Sequence, residues 1–119
     1  IARQAAGGVL FGGVDYSASL GANVADWDAM LTARGLIAAA CGAAGVPAYD
    51  VPFLDTSDTD GLAATTRKAM AMGFSGRACI HPGQVAAVNA AFTPTEAEVA
   101  EARAILAAME AAGGGVALH

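Results

Sequence analysis

The apolar positions of this 119-residue chain alternate between short continuous runs and longer stretches with helical spacing. The short runs predict three strands, at Val9–Phe11, Ala48–Phe53 and Arg77–Ile80, and none of them alternates as a strand with one solvent-facing side would. The longer stretches predict three helices, at Trp27–Ala44, Gly61–Met72 and Gly83–Ala91. Strand followed by helix, three times over, indicates the α/β class, with parallel strands buried on both faces.

Glycine, proline and small polar residues mark the ends of these elements. Gly12 and Gly13 close the first strand, and Gly45-Val-Pro47 stops the first helix. In the cluster Thr56-Ser-Asp-Thr-Asp60, either Asp58 or Thr59 can accept bonds from the free amides of the second helix, which Gly73 ends.

A fourth helix is predicted near the end of the chain by its start signals. Thr93 is expected as the N-cap, Pro94 as the first helical residue and Glu96 as the third. One face of this helix carries Val99, Ile105 and Leu106, which suggests docking on the rest of the fold or on a second subunit.

Composition excludes several classes of partner. Apolar residues make up 55% of the chain, enough for a core, but no apolar run approaches the ~20 residues of a membrane span. The net charge of −5 disfavours nucleic acid and anionic membranes as partners, because both attract clustered Lys and Arg. Cys41 and Cys79 have no metal-ligand spacing, so we expect two buried thiols and a reducing cytoplasm.

The three strand-helix units do not complete a known parallel architecture. They neither close a barrel nor fill a doubly wound sheet. The chain opens at Ile1 without an initiator Met and stops within a Gly-rich run before His119. We therefore expect these residues to be part of a larger domain.

One carboxylate is notable for its place in the sequence. Asp15 follows the first predicted strand and the pair Gly12-Gly13. A carboxylate at the carboxyl end of a parallel strand, beside bare backbone amides, can hold a metal ion together with an anionic substrate. From the residues alone, a metal ligand and a loop cap both remain open for Asp15.

Other charged residues are expected to serve the structure. Asp50 and Asp55 flank Pro52-Phe53 and could be mistaken for an acid/base pair. Asp55 opens the cap-rich turn and Asp50 can form hydrogen bonds at the rim of the sheet, so a structural role is favoured for both. Arg34 and Arg67 lie in helical stretches and are expected to be solvated.

Four segments, in their order and spacing, resemble a known family. They are Phe11-Gly-Gly-Val-Asp-Tyr-Ser17, Ala48-Tyr-Asp-Val-Pro-Phe-Leu-Asp55, Met72-Gly-Phe-Ser-Gly-Arg-Ala-Cys-Ile-His-Pro82 with Gln84-Val85, and Phe92-Thr-Pro-Thr-Glu96. The set is similar to the C-terminal half of the HpcH/HpaI aldolase, citrate lyase beta subunit and malyl-CoA lyase superfamily. The most specific part is Gly-Phe-x-Gly-x-x-x-Ile-His-Pro followed by Phe-Thr-Pro.

This resemblance implies a partial TIM (β/α)8 barrel. Residues 1–92 would supply its last three βα units, and residues 93–119 the start of a C-terminal helical extension. The earlier strands would precede this chain, and a further helical segment past His119 would pack against a neighbouring subunit. The full-length protein would then be a homo-oligomer, a trimer or a hexamer.

The resemblance also implies site residues. Asp15 matches the family's Mg²⁺ ligand, with Mn²⁺ as an alternative, and its partner glutamate would come from a preceding strand outside this chain. Tyr16 matches a position in the substrate pocket beside Asp15, and Ile80 and His81 match positions along the acyl-CoA. The amides around Gly13 and Val14 could bind the carboxylate of the keto acid. Packing at the rim stays open for Tyr16, as does a structural hydrogen bond for His81, and no catalytic residue is assigned.

The implied activity is that of a Mg²⁺-dependent carbon-carbon lyase. It would cleave or form a 3-hydroxy-acyl-CoA of the malyl-CoA or citryl-CoA type through an enolate, with a slight preference for the malyl-CoA branch. One alternative keeps the fold but acts on free 2-oxo acid aldols. Another is that these residues, without the glutamate and half of the barrel, form an inert fragment with exposed strand edges.

Overall fold

A computed structural model describes residues 2–5 and 7–113 of the chain. Strands and helices alternate along it, as the sequence predicts. After a short 3-10 helix (Ala2–Gln4), the elements are β1 (Val9–Leu10), α1 (Gly13–Leu20), α2 (Leu31–Ala44), β2 (Ala48–Asp50), α3 (Thr59–Ala71), β3 (Gly76–Arg77), α4 (Pro82–Phe92) and α5 (Glu96–Ala111).

The strands form one parallel sheet in the order β1-β2-β3. Val9 pairs with Ala48, and Asp50 pairs with Arg77. The ladder runs one residue beyond β1, where Phe11 N–H donates to Tyr49 O at 2.9 Å. The parallel sheet and its helices confirm the predicted α/β class.

One face of the sheet is covered by helices. Cys41 of α2, Ala48 of β2 and Ala69 of α3 are buried in one cluster, against which Val9 packs. Next to it, at the carboxyl end of the strands, lies a second cluster of Phe11, Met30, Ala33 and Val51. Fully burying a side chain such as Met30 contributes about 1.5–3 kcal/mol, so these clusters hold α2 and α3 on the sheet.

The other face of the sheet is open within the described residues. Leu10 is 57% exposed and Tyr49 is 36% exposed, because neighbouring positions of a strand point to opposite sides. Within the described residues the strands are therefore covered on one face only, and burial on both faces stays a prediction for the larger domain.

Several predicted caps are confirmed. Asp58 accepts a hydrogen bond from Gly61 N–H at 2.8 Å and begins α3. Gly45 ends α2 in the left-handed conformation (φ +67), and Gly73 follows α3 with φ +97. Glycine adopts both without steric cost, which explains why these two helices stop where they do.

The sequence pattern does not predict the helix α1, and α2 begins later than predicted. Gly13–Leu20 contains two serines and a glycine, and its N-cap, Gly12, makes no side-chain bond, so it carries few helix signals. Residues 27–30 form a turn because the Asp26 carboxylate accepts from the N–H groups of Asp28 and Ala29, which delays α2 to Leu31.

The strands and the last helix also differ from their predicted limits. β2 ends at Asp50 rather than Phe53, because Pro52 lacks the N–H that a continuing strand needs. The predicted N-cap Thr93 instead ends α4, and α5 is capped by Thr95, which exchanges hydrogen bonds with Glu98 in a capping box. The helix α5 therefore begins two residues later than its start signals predict.

The two cysteines differ in their surroundings. Cys41 is buried in the core, as predicted, while Cys79 is exposed. The prediction for Cys79 is wrong because β3 ends at Arg77, which leaves Cys79 in the loop that follows. None of the helices in the described ranges is long and apolar enough to cross a membrane.

Candidate active-site edge

The turn after β1 presents the Asp15 carboxylate at the carboxyl edge of the sheet. Phe11 and Gly12 link β1 to α1, which places Asp15 in the first turn of that helix. The residue is exposed, and no described residue forms a hydrogen bond or ion pair with its carboxylate. Asp15 is thus not a cap of this loop, and its oxygens are open to a ligand.

Free backbone amides accompany this carboxylate. Gly12 O accepts the first helical bond from Tyr16 N–H at 3.0 Å, and no acceptor for the N–H groups of Val14 and Asp15 is found among the described residues. Such unpaired N–H groups at the start of a helix favour an anion. The turn therefore combines one hard oxygen donor with two hydrogen-bond donors.

Gly13 is needed for packing. A Cβ at Gly13 would lie 2.9 Å from Val51 Cγ2 and 3.2 Å from Phe11 Cε1, so only glycine fits between them. Its N–H already donates to Phe11 O at 2.9 Å. A substrate could use the Gly13 N–H, as predicted, only if that bond were broken, whereas Val14 and Asp15 are free to donate.

Tyr16 packs against the residue that ends the β1 ladder. Its ring meets Phe11 edge to face, with centroids 5.8 Å apart, and the side chain remains 41% exposed. Phe11 in turn lies in the core beside Met30 and Val51. Rim packing is therefore observed for Tyr16, and its exposed part remains available to a ligand.

Ile80 and His81 follow β3 at the same edge of the sheet as Asp15. β2 separates the two loops, and both residues are exposed. His81 Nδ1 accepts from Gly83 N–H at 3.1 Å and so begins α4. In the neutral ring the proton is then on Nε2, which leaves one N–H donor at the edge.

A buried charged triad lies beneath this edge. Asp50 at the end of β2 pairs with Arg34 of α2, Nε to Oδ1 at 2.8 Å, and lies 3.8 Å from Arg77 Nη2. Arg34 also lies over the Trp27 ring, with its guanidinium carbon 4.2 Å from the ring centroid. The prediction that Arg34 is solvated is wrong, because its partner lies 16 residues away in sequence, whereas Arg67 is exposed as predicted.

Arg77 joins three elements through its guanidinium. Nε donates to Val51 O at 3.0 Å, and Nη1 donates to the hydroxyls of Thr65 and Thr66 at 2.8 and 3.1 Å. Burial lowers the pKa of Arg77, and the carboxylate of Asp50 opposes that effect. The side chain thus holds β3 against α3 and against the loop after β2.

The two aspartates around Pro52-Phe53 do not form an acid/base pair. Asp50 is fully buried in the triad. Asp55 is exposed and accepts bonds from the hydroxyl and N–H of Ser57 and from Asp58 N–H. These bonds, led by the Ser57 hydroxyl, lower the pKa of Asp55. The favoured structural roles agree with these contacts.

A cavity of about 350 Å³ opens between the beginnings of α2 and α3. Arg34 and Arg77 line it, and so do Asp55 and Asp58. Because two cationic and two anionic side chains share the walls, the cavity favours neither a cation nor an anion. The edge around Asp15 remains the better candidate for ligand chemistry.

Three residues of this region were not predicted to have their observed roles: Arg34, Arg77 and Gln84. The two arginines act over long sequence distances, which no local pattern reveals. Gln84 had a usable signal, since it is the third residue of a helix that opens with Pro82, the position of the polar partner in a capping box.

Fold and edge together define a parallel α/β unit with a carboxylate and free amides at a strand end. Residues 1–82 match the family model of HpcH/HpaI aldolase/citrate lyase. The chain therefore belongs to the HpcH/HpaI aldolase/citrate lyase family, which confirms the resemblance seen in its four segments.

Two curated relatives show the same relationship. Mitochondrial citramalyl-CoA lyase of Rattus norvegicus is 42% identical over 103 residues, covering 86% of this chain and 30% of that protein. L-malyl-CoA/beta-methylmalyl-CoA lyase of Cereibacter sphaeroides is 50% identical over 80 residues, covering 67% of this chain and 25% of that protein. The chain thus spans less than a third of the length of either relative.

A solved structure supports the likeness in three dimensions. CitE from Mycobacterium tuberculosis, in complex with magnesium, acetoacetate and coenzyme A, matches with a TM-score of 0.71 and 34% identity. The match covers 86% of this chain and 40% of the CitE chain.

Proposed function

We propose that the protein containing this chain is a Mg²⁺-dependent carbon-carbon lyase that cleaves or forms a 3-hydroxy-acyl-CoA. The observation that carries the proposal is the exposed, unpaired Asp15 carboxylate beside the free N–H groups of Val14 and Asp15. The names of the similar lyases, and the ligands of the similar CitE structure, indicate the substrate class.

We further propose that this unit is the last part of a (β/α)8 barrel. The parallel sheet, its two edge strands and the exposed side chains of Leu10 and Tyr49 support this. In a closed barrel, these two side chains would face the packed interior. Residues 1–92 would supply three βα units and residues 93–119 would begin a C-terminal extension, of which 114–119 lie outside the described residues.

Asp15 fits a magnesium site as one ligand of a shared set. Mg²⁺ usually takes one or two protein carboxylates and keeps its other positions for water and substrate oxygens. No group of three or more His, Cys, Asp or Glu side chains suited to a metal is found in the described ranges, so a second carboxylate would come from other residues of the protein. When bound, Mg²⁺ supplies Lewis-acid polarisation of the keto-acid carbonyl.

The chain's own groups would bind and orient the substrate. Val14 and Asp15 N–H would hold the keto-acid carboxylate beside the Asp15 side chain, and the exposed part of Tyr16 would bound that pocket. Ile80 and the Nε2–H of His81, in the loop after β3, would contact the acyl-CoA. Both loops leave the carboxyl ends of strands, where barrel enzymes carry their sites.

One observation favours an inactive state for these 119 residues on their own. Within the described residues the sheet has two unpaired edges and an uncovered apolar face. We therefore expect the isolated chain to bind Mg²⁺ weakly and to show no turnover until the upstream residues are present.

The test uses the full-length protein with Mg²⁺ and malyl-CoA, beta-methylmalyl-CoA, citramalyl-CoA or citryl-CoA, following keto-acid release. We expect turnover of at least one ester, lost on chelation and restored by Mg²⁺. Turnover of free 2-oxo acid aldols alone would support the aldolase alternative and contradict the proposal.

A further inference from the structure

The side chain of Gln84 connects the two loops that follow β2 and β3. It is 3% exposed and lies in the first turn of α4. Its Oε1 accepts from Ile80 N–H at 3.0 Å and His81 N–H at 3.3 Å, and its Nε2 donates to Phe53 O at 2.8 Å. Only one orientation of the amide satisfies all three bonds, because the oxygen must face the two donors and the nitrogen the carbonyl.

These bonds determine the path of the chain after β3. Ala78 N–H still donates to Asp50 O at 3.1 Å, but the next free amides turn toward Gln84 instead of continuing the ladder. β3 therefore ends early, and Ile80 leaves the sheet with its side chain 55% exposed. The buried side chain of Gln84 thus fixes the backbone at Ile80 and His81 through hydrogen bonds to both N–H groups.

We propose that Gln84 is a positioning residue for the acyl-CoA end of the site. It holds the Ile80–His81 segment at a fixed distance from the loop after β2, so that the exposed Ile80 side chain and the His81 ring meet the acyl-CoA in one arrangement. The inference rests on the proposed function, in which these two residues contact acyl-CoA, and it adds a residue that does not itself touch substrate.

Two substitutions separate the parts of this connection. Gln84→Ala removes all three bonds and leaves the half-buried carbonyl of Phe53 without its donor. Gln84→Glu keeps an acceptor for the two amides but loses the donor to Phe53. The matched controls are Asn89→Ala and Asn89→Asp, since Asn89 lies on the same helix, is exposed and makes no side-chain hydrogen bond within the described residues.

The experiment measures binding of coenzyme A and of Mg²⁺ to the full-length protein by calorimetry, with the KM for the acyl-CoA substrate. We expect Gln84→Ala to weaken coenzyme A binding about tenfold, the effect of losing one well-made hydrogen bond, and Gln84→Glu to weaken it less. The Mg²⁺ affinity should stay within about twofold of the wild-type value, because Asp15 follows β1 whereas Gln84 acts on the loop after β3. The Asn89 variants should match the wild type in both.

A second readout needs no ligand. Hydrogen exchange at the amides of Ile80 and His81 should become faster in Gln84→Ala and stay unchanged in Asn89→Ala. Unchanged coenzyme A affinity in a folded Gln84→Ala protein, or equal weakening of coenzyme A and Mg²⁺, overturns the inference while the proposed function stands. If the wild-type protein binds no coenzyme A, the proposed function itself fails, and the role of Gln84 at that site fails with it.

Discussion

The Nε of Arg34 lies 2.8 Å from Oδ1 of Asp50, and both side chains are buried, with 3% and 0% exposure. This pair joins the first turn of α2 to the last residue of β2. The guanidinium carbon of Arg34 also lies 5.8 Å from the centroid of the Phe11 ring. Phe11 directly precedes the turn that carries Asp15. The buried ion pair therefore packs against the residue that leads into the Asp15 turn.

Removing Asp50 should strongly destabilise the protein. Asp50→Ala leaves the buried guanidiniums of Arg34 and Arg77 without their carboxylate, which costs about 3–5 kcal/mol when one partner of a buried pair is lost. Urea unfolding of the full-length protein measures the change. Asp60→Ala, at an exposed position in the first turn of α3, should cost less than about 1 kcal/mol. A decrease of less than about 1 kcal/mol in the free energy of unfolding for Asp50→Ala would contradict a stabilising role of the triad.

Arg77→Lys should destabilise the protein despite keeping the charge. The planar guanidinium of Arg77 donates to Val51 O and to both threonine hydroxyls, which a single lysine ammonium cannot do in the same geometry. Each hydrogen bond to a charged group contributes about 1.5–3 kcal/mol. The free energy of unfolding is compared with that of Arg67→Lys, whose side chain is exposed. Equal stability of the two variants would show that the Arg77 contacts are dispensable.

A methyl group at Gly13 should disturb the Asp15 turn. The added Cβ would lie 2.9 Å from Val51 Cγ2, and such overpacking costs about 1–3 kcal/mol. Because α1 begins at Gly13, we expect Gly13→Ala also to weaken Mg²⁺ binding. Gly12→Ala is the control, since nothing lies within 4 Å of a Cβ there. Similar stability and Mg²⁺ affinity in the two variants would argue against close packing at Gly13.

Glu98 should titrate below its ordinary pKa of 4.5 because it accepts hydrogen bonds from the N–H and hydroxyl of Thr95. Because folding lowers this pKa, the interaction stabilises the folded protein at pH values above the pKa of the unfolded chain. The contribution is lost as the pH falls through the pKa of the folded state. NMR titration of the Glu98 carboxyl should therefore give a low pKa in the wild type and a value nearer 4.5 in Thr95→Ala. Thr93→Ala should leave the pKa of Glu98 low. A low pKa in Thr95→Ala with a value nearer 4.5 in Thr93→Ala would instead identify Thr93 as the cap.

The alternation of strands and helices could be predicted because local signals agree with the fold. Asp58 and Gly45 cap their helices as their residue types favour, and the apolar runs mark the strands. Predicted boundaries are wrong where a nearby side chain competes with the backbone for an amide. Gln84 takes the amides of Ile80 and His81, and Asp26 holds a turn where a helix was expected.

The candidate site was predictable in part for the same reason. Asp15 could be identified from its place after a strand and two glycines, and its contacts leave the carboxylate open. The partner of Arg34 lies 16 residues away and those of Arg77 lie 11, 12 and 26 residues away, so no local pattern could show that these arginines are buried. The roles of Gly13, Val14, Tyr16, Ile80 and His81 toward substrate remain predictions.

The proposed function depends on Asp15 as a ligand of the catalytic Mg²⁺. The most direct test compares Asp15→Asn with Asp60→Asn in the full-length protein, because both aspartates are exposed in the first turn of a helix. Mg²⁺ affinity by calorimetry and keto-acid release from the preferred acyl-CoA are measured together. We predict that Asp15→Asn loses at least about tenfold in Mg²⁺ affinity and most of its turnover, while Asp60→Asn keeps both. Full Mg²⁺ affinity and full turnover in Asp15→Asn would contradict the proposed role of this carboxylate.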